Sequence, residues 1–401
     1  MISAYSAKLH FTLWSSKFFT YIRGMLSFWE KQSLLQYDCI LLGSGIVGLS
    51  TAISYKEKFP RKRVLVLERG ILPTGASTKN AGFACIGSLT EILEDLQTMT
   101  TEEVVSLVHM RLKGLQLLRS RIGDDRMNYR ENGSYELISA TESAALEQME
   151  NVNSMLFGIL PGPAFSHADQ KLQNFGFNAQ HVQSLVQNNF EGELNTGKMM
   201  RTLIDLAFER GIEIKTGCEV VGFEENAQQV LVTVQQPGSK GTLTFSAEQL
   251  AICTNAFAKG LLPELDITPG RGQVLITTPV KGLPFKGIFH FDKGYYYFRE
   301  IEGRVLFGGG RNLDFAGEAT TNFELKETIQ RDLEEKLRTF ILPNHSYTVE
   351  DRWTGIMGFG KTKRPIIQAY SGRIFLAVRM GGMGIAIGSE VGRTLAGMMQ
   401  G

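Results

Sequence analysis

Residues 43–48 read Gly-Ser-Gly-Ile-Val-Gly, and they sit between an apolar run without helical period, Tyr37–Leu42 (YDCILL), and a helical pattern over Ile46–Lys58. A second apolar run, Arg63–Glu68 (RVLVLE), follows. Strand, tight turn, helix and strand within about thirty residues make a βαβ unit, whose two strands are parallel. In such a unit Gly43 permits the turn, Gly45 lets backbone N–H groups reach a pyrophosphate, and Gly48 lets the helix pack closely. Ser44, Ile46 and Val47 belong to the same cradle. Glu68 ends the second strand about twenty residues on, where a ribose hydroxyl needs an acceptor, and Arg69 follows it. The spacing predicts a dinucleotide site, and the loop alone leaves FAD and NAD both open.

Length and composition narrow what surrounds this unit. A chain of 401 residues is long enough for two domains, or for one α/β domain with a large insertion. With 42 basic and 41 acidic residues, it has no overall field to gather nucleic acid or an anionic membrane, so small molecules are the expected partners. Cys39, Cys85, Cys218 and Cys253 show no CxxC or metal-ligand spacing. Neither a metal site nor a disulfide framework is implied, and a cytoplasmic protein with reduced thiols is expected.

Residues 1–36 form an N-terminal extension that is aromatic and basic, with Lys8, Lys17, Arg23 and Lys31 against Glu30. Ser15, Ser16, Lys17 and Arg23 interrupt every apolar run, which argues against a signal peptide and a transmembrane segment. Two readings stay open: an amphipathic or targeting segment, or initiation at Met25 with Leu26–Gln36 as a lead-in to the first strand.

After the βαβ unit, helical patterns cover Thr101–Ile122 and Thr141–Leu156, with a strand-like Gly133–Ala140 between them. Lys198–Arg210 reads as a helix, Ile212–Lys215 and Glu219–Phe223 as strands, Val230–Val234 and Leu243–Phe245 as a hairpin, and Leu250–Thr254 as a separate buried strand. Further strands are expected at Gln273–Thr277, Tyr295–Glu300, Arg304–Gly308 and Arg373–Val378, and a last helix from about Ile385. The expected organisation is an α/β, Rossmann-like cofactor domain in three pieces, 37–90, 195–268 and 346–401. An α+β substrate domain with a mixed or antiparallel sheet is inserted as 91–194 and 269–345.

The segment Gly75-Ala76-Ser77-Thr78-Lys79-Asn80-Ala81-Gly82-Phe83 resembles the small-residue stretch after the second strand in the D-amino acid oxidase superfamily of FAD-dependent oxidoreductases. The resemblance continues, in the family's order, through Cys253–Ala256, Pro269–Gln273, Tyr295–Arg311, Arg352–Gly355 and Gly381–Gly384. It implies FAD as cofactor, with Ser77, Thr78, Lys79, Asn80 and Ala81 along the pyrophosphate and flavin, Val220 at the adenine end, and Thr254 and Asn255 near the nucleotide. The turn Gly381, Gly382, Met383, Gly384 and Ile385 also has a physical reading, since a helix N-terminus there would place positive potential where charge develops on a reduced flavin.

The same resemblance implies oxidation of a C–N or C–O bond by hydride transfer to flavin. It puts a substrate-binding tyrosine at Tyr295, with Tyr297 on the same strand face by the two-residue period. Arg299 and Arg311 either meet a substrate carboxylate or are solvated or ion-paired. His290 is a candidate because it precedes the tyrosine strand; the alternative is a satisfied loop histidine. Two departures matter. Met357 stands where amino acid oxidases carry a carboxylate-binding arginine, and Ala386 where sarcosine oxidases carry a lysine. No cysteine follows Cys253, so FAD is expected to be non-covalent. The reading is oxidation of a small amine or amino acid, with oxygen or another acceptor taking the electrons. The alternatives are a 2-hydroxy acid dehydrogenase of the 2-hydroxyglutarate type and a catalytically idle FAD-binding subunit.

Overall fold

The computed structural model of the protein describes residues 26–236, Gly238 and 241–401. The segment considered for membrane-surface or targeting roles, with Met25, lies outside the described residues. The lead-in that follows carries a short helix, Phe28–Leu34, which starts at a Ser27/Glu30 capping box and buries none of its residues.

Five parallel strands form the first sheet, in the order Ile374–Val378, Thr242–Ile252, Gln36–Leu42, Val64–Leu67, Glu213–Lys215. Val64–Leu67 and Ile374–Val378 are buried at every position, as expected of strands covered on both faces. Ile366–Ala369 closes one edge antiparallel, and Glu219–Glu225 with Val230–Gln235 forms a ladder on the lower half of Thr242–Ile252. The helix Ile46–Lys58 packs against the C-terminal helix Gly384–Met398 so closely that a Cβ at Gly392 would lie 2.7 Å from the Thr51 backbone nitrogen.

The second sheet has eight strands, in the order Val349–Phe359, Thr268–Thr277, Arg304–Gly309, Tyr296–Ile301, Ile288–Phe291, Ser134–Ile138, Ser184–Asn188, Phe165–His167. Only Ile288–Phe291 with Ser134–Ile138 is a parallel pair. One face carries an aromatic core in which Phe289 stacks on Phe298 at 4.8 Å and Phe291 on Tyr296 at 4.9 Å, and the helix Glu327–Lys336 covers it with Ile329 and Leu333. The opposite face turns toward the first sheet, where the Trp353 indole donates to the Lys79 carbonyl at 2.9 Å.

Three local expectations are corrected. Leu243–Phe245 and Leu250–Thr254 are the two ends of one strand, Thr242–Ile252. Its first half pairs antiparallel with Val230–Gln235 and its second half parallel with Gln36–Leu42, so its pattern switches from alternating to continuously apolar. Val349–Phe359, placed by sequence in the cofactor domain with 346–401, pairs along Thr268–Thr277 in the second sheet. The helix expected over Thr141–Leu156 is broken into a 3-10 turn at Ala140–Glu142 and helices at Ala144–Glu147 and Met149–Leu156. Only the last of these buries a regular stripe, Met149, Val152, Asn153 and Leu156.

Candidate functional site

The glycine loop lies at the C-terminal end of Gln36–Leu42, beside the point where the parallel order reverses direction from that central strand. Gly43 has φ +96°, and a Cβ at Gly48 would stand 1.9 Å from the Gly43 carbonyl oxygen, so helix and loop are in backbone contact. The Ser44 backbone N–H and hydroxyl both donate to Glu68 Oε2, at 3.0 and 2.7 Å, and the Gly70 N–H donates to Oε1 at 2.9 Å. Glu68 is 9% exposed. Its carboxylate is thus fixed by the cradle rather than solvated. Ser77 Oγ accepts from the Ile46 N–H at 3.0 Å, at the N-terminus of the helix that includes Val47, and stands 2.8 Å from where a Gly45 Cβ would lie. Thr254 Oγ1, against the same loop, is buried with no hydrogen-bond partner among the described residues.

The segment after the second strand holds itself by local bonds. Thr78 Oγ1 donates to the Pro73 carbonyl at 2.6 Å, and the Asn80 amide donates to Ala76 and Ser77 while its oxygen accepts from Gly82 N–H and the Thr196 hydroxyl. Among the described residues, the Lys79 ammonium has no ion pair; it faces the Phe323 ring at 5.6 Å. Arg69 is exposed and lies over the Phe257 ring at 4.2 Å. Val220 sits in the edge ladder, opposite Val234 at a register shift. Asn255, at φ +48°, has its side-chain oxygen accepting from the Arg379 and Met380 N–H groups. It thereby sets the turn Gly381 (φ +57°), Gly382 (φ +86°) and Met383 that opens the helix at Gly384 and Ile385. A backbone cradle, a buried carboxylate and an orphaned hydroxyl around one helix N-terminus fit the pyrophosphate and ribose of a dinucleotide.

The second sheet presents a floor to this segment. Gly272 and Gly355 pair directly across two strands, and on their face stand Met357, whose methyl lies 2.9 Å from a Gly272 Cβ position, and Tyr297, whose hydroxyl lies 3.9 Å from it. A Cβ at Gly355 would be 3.3 Å from Lys79 Cβ, and one at Gly382 would be 3.7 Å from Met357 Sδ. The glycine pair is therefore closely packed by Lys79 and Met357, with Tyr297 and the C-terminal turn beside it. Burial pushes the Tyr297 phenol up to about 12, so it is a neutral donor at working pH.

Of the two tyrosines expected on one strand face, only Tyr297 lies within the strand. Tyr295 precedes the strand Tyr296–Ile301, closing a turn with Asp292, and its ring meets Phe315 edge-on at 5.7 Å. Tyr297 meets Phe83 at 5.6 Å, next to Met357 across Gly272. Arg299, named as a substrate-binding candidate, is held by the protein: it is 4% exposed and donates to the Leu194, Gly82 and Glu300 carbonyls, with Glu193 at 3.5 Å. His290 pairs in register with Tyr297, meets Phe83 edge-on at 5.1 Å, and stands 3.5 Å from Cys85 Sγ. Burial lowers the imidazole to about 4 against the pull of Glu91, and raises the Cys85 thiol, which Glu191 raises further. The two form a neutral pair. Glu191 completes a possible ligand trio with them, but its carboxylate already accepts from the Ile86 and Gly87 N–H groups and the Ser134 hydroxyl. Sequence reasoning quoted Phe83, Gly272, Trp353 and Gly355 within the resemblance but gave them no site role, although the alternation Trp353, Gly355, Met357, Phe359 along one strand carried the signal.

Comparison with known proteins identifies the family and the fold. A family model described as FAD dependent oxidoreductase matches residues 38–398. No curated protein matches the sequence. Among solved structures, L-proline dehydrogenase from P. horikoshii superposes with a TM-score of 0.72 at 16% identity, over 91% of this chain and 93% of that one. Glycine oxidase from Geobacillus kaustophilus gives 0.71 at 18%, over 92% and 96%. Iminodiacetate oxidase from Chelativorans sp. BNC1 gives 0.69 at 18%, over 90% and 94%. At these identities the likeness is one of fold.

Proposed function

We propose that this chain, which belongs to the FAD-dependent oxidoreductase family, oxidises the C–N bond of a small amine or amino acid. The observation that carries the reading is the glycine-loop cradle with its buried Glu68 carboxylate and partnerless Thr254 hydroxyl, facing a Gly272–Gly355 pair packed by Lys79 and Met357 beside a neutral Tyr297. The named activities of the structural neighbours, which act on proline, glycine and iminodiacetate, support this chemistry. FAD, which the glycine loop and Glu68 would hold without a covalent bond, would supply a two-electron acceptor for the hydride on the carbon that bears nitrogen.

The protein's part is orientation and electrostatics. Ser44, Glu68 and Thr254 would hold the nucleotide half, with Glu68 accepting from ribose hydroxyls and Thr254 Oγ1 gaining the partner it lacks. The turn Gly381–Gly384 aims the positive end of a long helix at the Met357 side of the floor, where it would stabilise negative charge. Tyr297, kept protonated, would position the substrate, and Met357 would close the site with a thioether in place of a charge. With His290 neutral and packed on Cys85, no side chain among the described residues of this face is poised as a strong base, which suits transfer of hydride from an unprotonated amine.

The test is anaerobic reduction of the bound flavin by a panel of D-amino acids, N-methyl amino acids, polyamine derivatives and 2-hydroxy acids. Bleaching by amines alone is expected. Bleaching by 2-hydroxy acids alone would move the reading to C–O oxidation, and a yellow protein bleached by neither class would make it an idle FAD-binding subunit.

A further inference from the structure

Most buried carboxylates of this chain are answered by a cation: Asp95 by Lys363, Glu193 by Arg299 and Glu318 by Arg271. Glu68 belongs to the cofactor cradle. Glu136 and Glu191 are as deeply buried, and among the described residues neither has an ion-pair partner. Arg111, which donates to the Ile86 carbonyl beside them, pairs with Glu91, and Lys363 pairs with Glu91 and Asp95. Burial accordingly raises the Glu191 carboxyl against the pull of its own hydrogen bonds.

Glu191 lies opposite Cys85, where the pairing of Phe83–Ala84 with Gly192–Glu193 is extended by one residue. His290 meets them from the second sheet, in register between Glu136 and Tyr297. One ligand atom from each of Cys85, Glu191 and His290 lies within 4.8 Å of the other two, and Cys85 Sγ stands 3.5 Å from His290 Nε2. A tetrahedral zinc ion, about 2.3 Å from sulfur and about 2.0–2.1 Å from nitrogen, holds those two atoms about 3.5 Å apart. A thiol–imidazole hydrogen bond has a similar length. What such a pair does not require is a buried carboxylate without a counter-cation converging on both members.

The bonds that Glu191 already makes are compatible with ligation. The Ile86 and Gly87 N–H groups occupy Oε1 and the Ser134 hydroxyl occupies one position on Oε2. One of about four lone-pair sites is left, and the donors fix the carboxylate as outer partners of a metal ligand do. A thiolate and a carboxylate together balance a divalent charge, and a sulfur, nitrogen and oxygen set suits zinc rather than magnesium or calcium. A cavity of about 10 Å³, room for one water, is lined by Glu191 and His290 together with Glu136.

We propose that Cys85, His290 and Glu191 bind a zinc ion, with water from this cavity as the fourth ligand and the thiol proton released to solvent on binding. The three ligands come from distant segments, which spacing along the chain does not reveal. The ion ties the end of the Gly75–Phe83 stretch to the sheet that carries Tyr297, and the Phe83 ring, 5.1 Å from His290 and 5.6 Å from Tyr297, lies between them. No step of the oxidation passes through it, so the site stands or falls independently of the C–N reading.

The experiment is equilibrium dialysis of untagged, chelator-treated, flavin-containing protein against zinc, with magnesium as the hard-cation control. Bound metal is counted per chain and thermal unfolding is followed. One equivalent of zinc, no magnesium, and a Tm that rises with zinc are expected. Cys85→Ala, His290→Gln and Glu191→Gln should each weaken zinc binding about tenfold or more, whereas Cys218→Ser, which removes the partly exposed thiol, should bind as the unmodified protein does. The flavin content of each variant reports whether it has folded. Absence of zinc uptake by the unmodified protein at micromolar concentrations overturns the site, whatever the variants do. So does stoichiometric binding that survives Cys85→Ala and His290→Gln, or that is lost in Cys218→Ser.

Discussion

Replacing Gly48 by alanine tests whether the loop and helix form a cofactor cradle or an ordinary turn. In an open helix this exchange is favourable, because glycine gives up more backbone freedom on folding; the gain is about 0.5–1 kcal/mol. Gly397, in the C-terminal helix, provides that reference, since a Cβ there meets nothing within 4 Å. At Gly48 the same methyl group would stand 1.9 Å from the Gly43 carbonyl oxygen, far inside the 3.0 Å below which Cβ contacts essentially do not occur. The obstructing atom is backbone, so the helix start must withdraw by more than an ångström, carrying with it the N–H groups that face the pyrophosphate. Overpacking of this kind costs about 1–3 kcal/mol, which outweighs the gain in helix propensity. Urea denaturation with the flavin-to-protein absorbance ratio measures both effects. Gly397→Ala should keep its flavin and gain stability; Gly48→Ala should lose stability and most of its flavin. A Gly48→Ala protein as yellow and as stable as Gly397→Ala would refute the cradle.

Glu68→Gln keeps the shape of the side chain and removes the charge that accepts from Ser44 and Gly70, so FAD affinity measured by titrating apoprotein should fall about tenfold or more; an unchanged Kd would separate Glu68 from the ribose. Glu318→Ala leaves the Arg271 guanidinium, bonded at 2.6 and 2.9 Å, buried without its counter-charge, and a loss of about 3–5 kcal/mol in urea unfolding is expected; a loss below 1 kcal/mol would show water reaching it. Glu136 is raised to about 7 because burial outweighs the donors Thr90 and Ser88. An acid raised on folding contributes stability below its unfolded value that is lost as pH climbs through the folded one, so stability should decline between about pH 4.5 and 7 and that slope should flatten in Glu136→Gln; identical slopes would contradict it.

The geometry of the glycine loop was legible because its constraints are local. Gly43, Gly45, Gly48 and Glu68 act through backbone geometry within one βαβ unit, and spacing along the chain encodes that geometry. The substrate half depends on pairings between distant strands. That Gly272 faces Gly355, or that Tyr297 rather than Tyr295 stands beside Met357, follows from the register of three strands, which no local pattern fixes. Arg299 and Arg311 look alike in sequence, and only the carbonyls of Leu194 and Gly82 around one and the phenyl rings around the other separate their surroundings. Thr242–Ile252 was misread for a related reason: a strand that changes partner midway carries two different burial patterns.

A single anaerobic turnover with product identification is the most direct test of C–N oxidation. Mixed with an excess of the amino acid that bleaches it, the enzyme should yield one equivalent of carbonyl product and one of ammonia or amine for each flavin reduced. Flavin bleached by a 2-hydroxy acid with formation of a 2-oxo acid, and left oxidised by every amine, would contradict it.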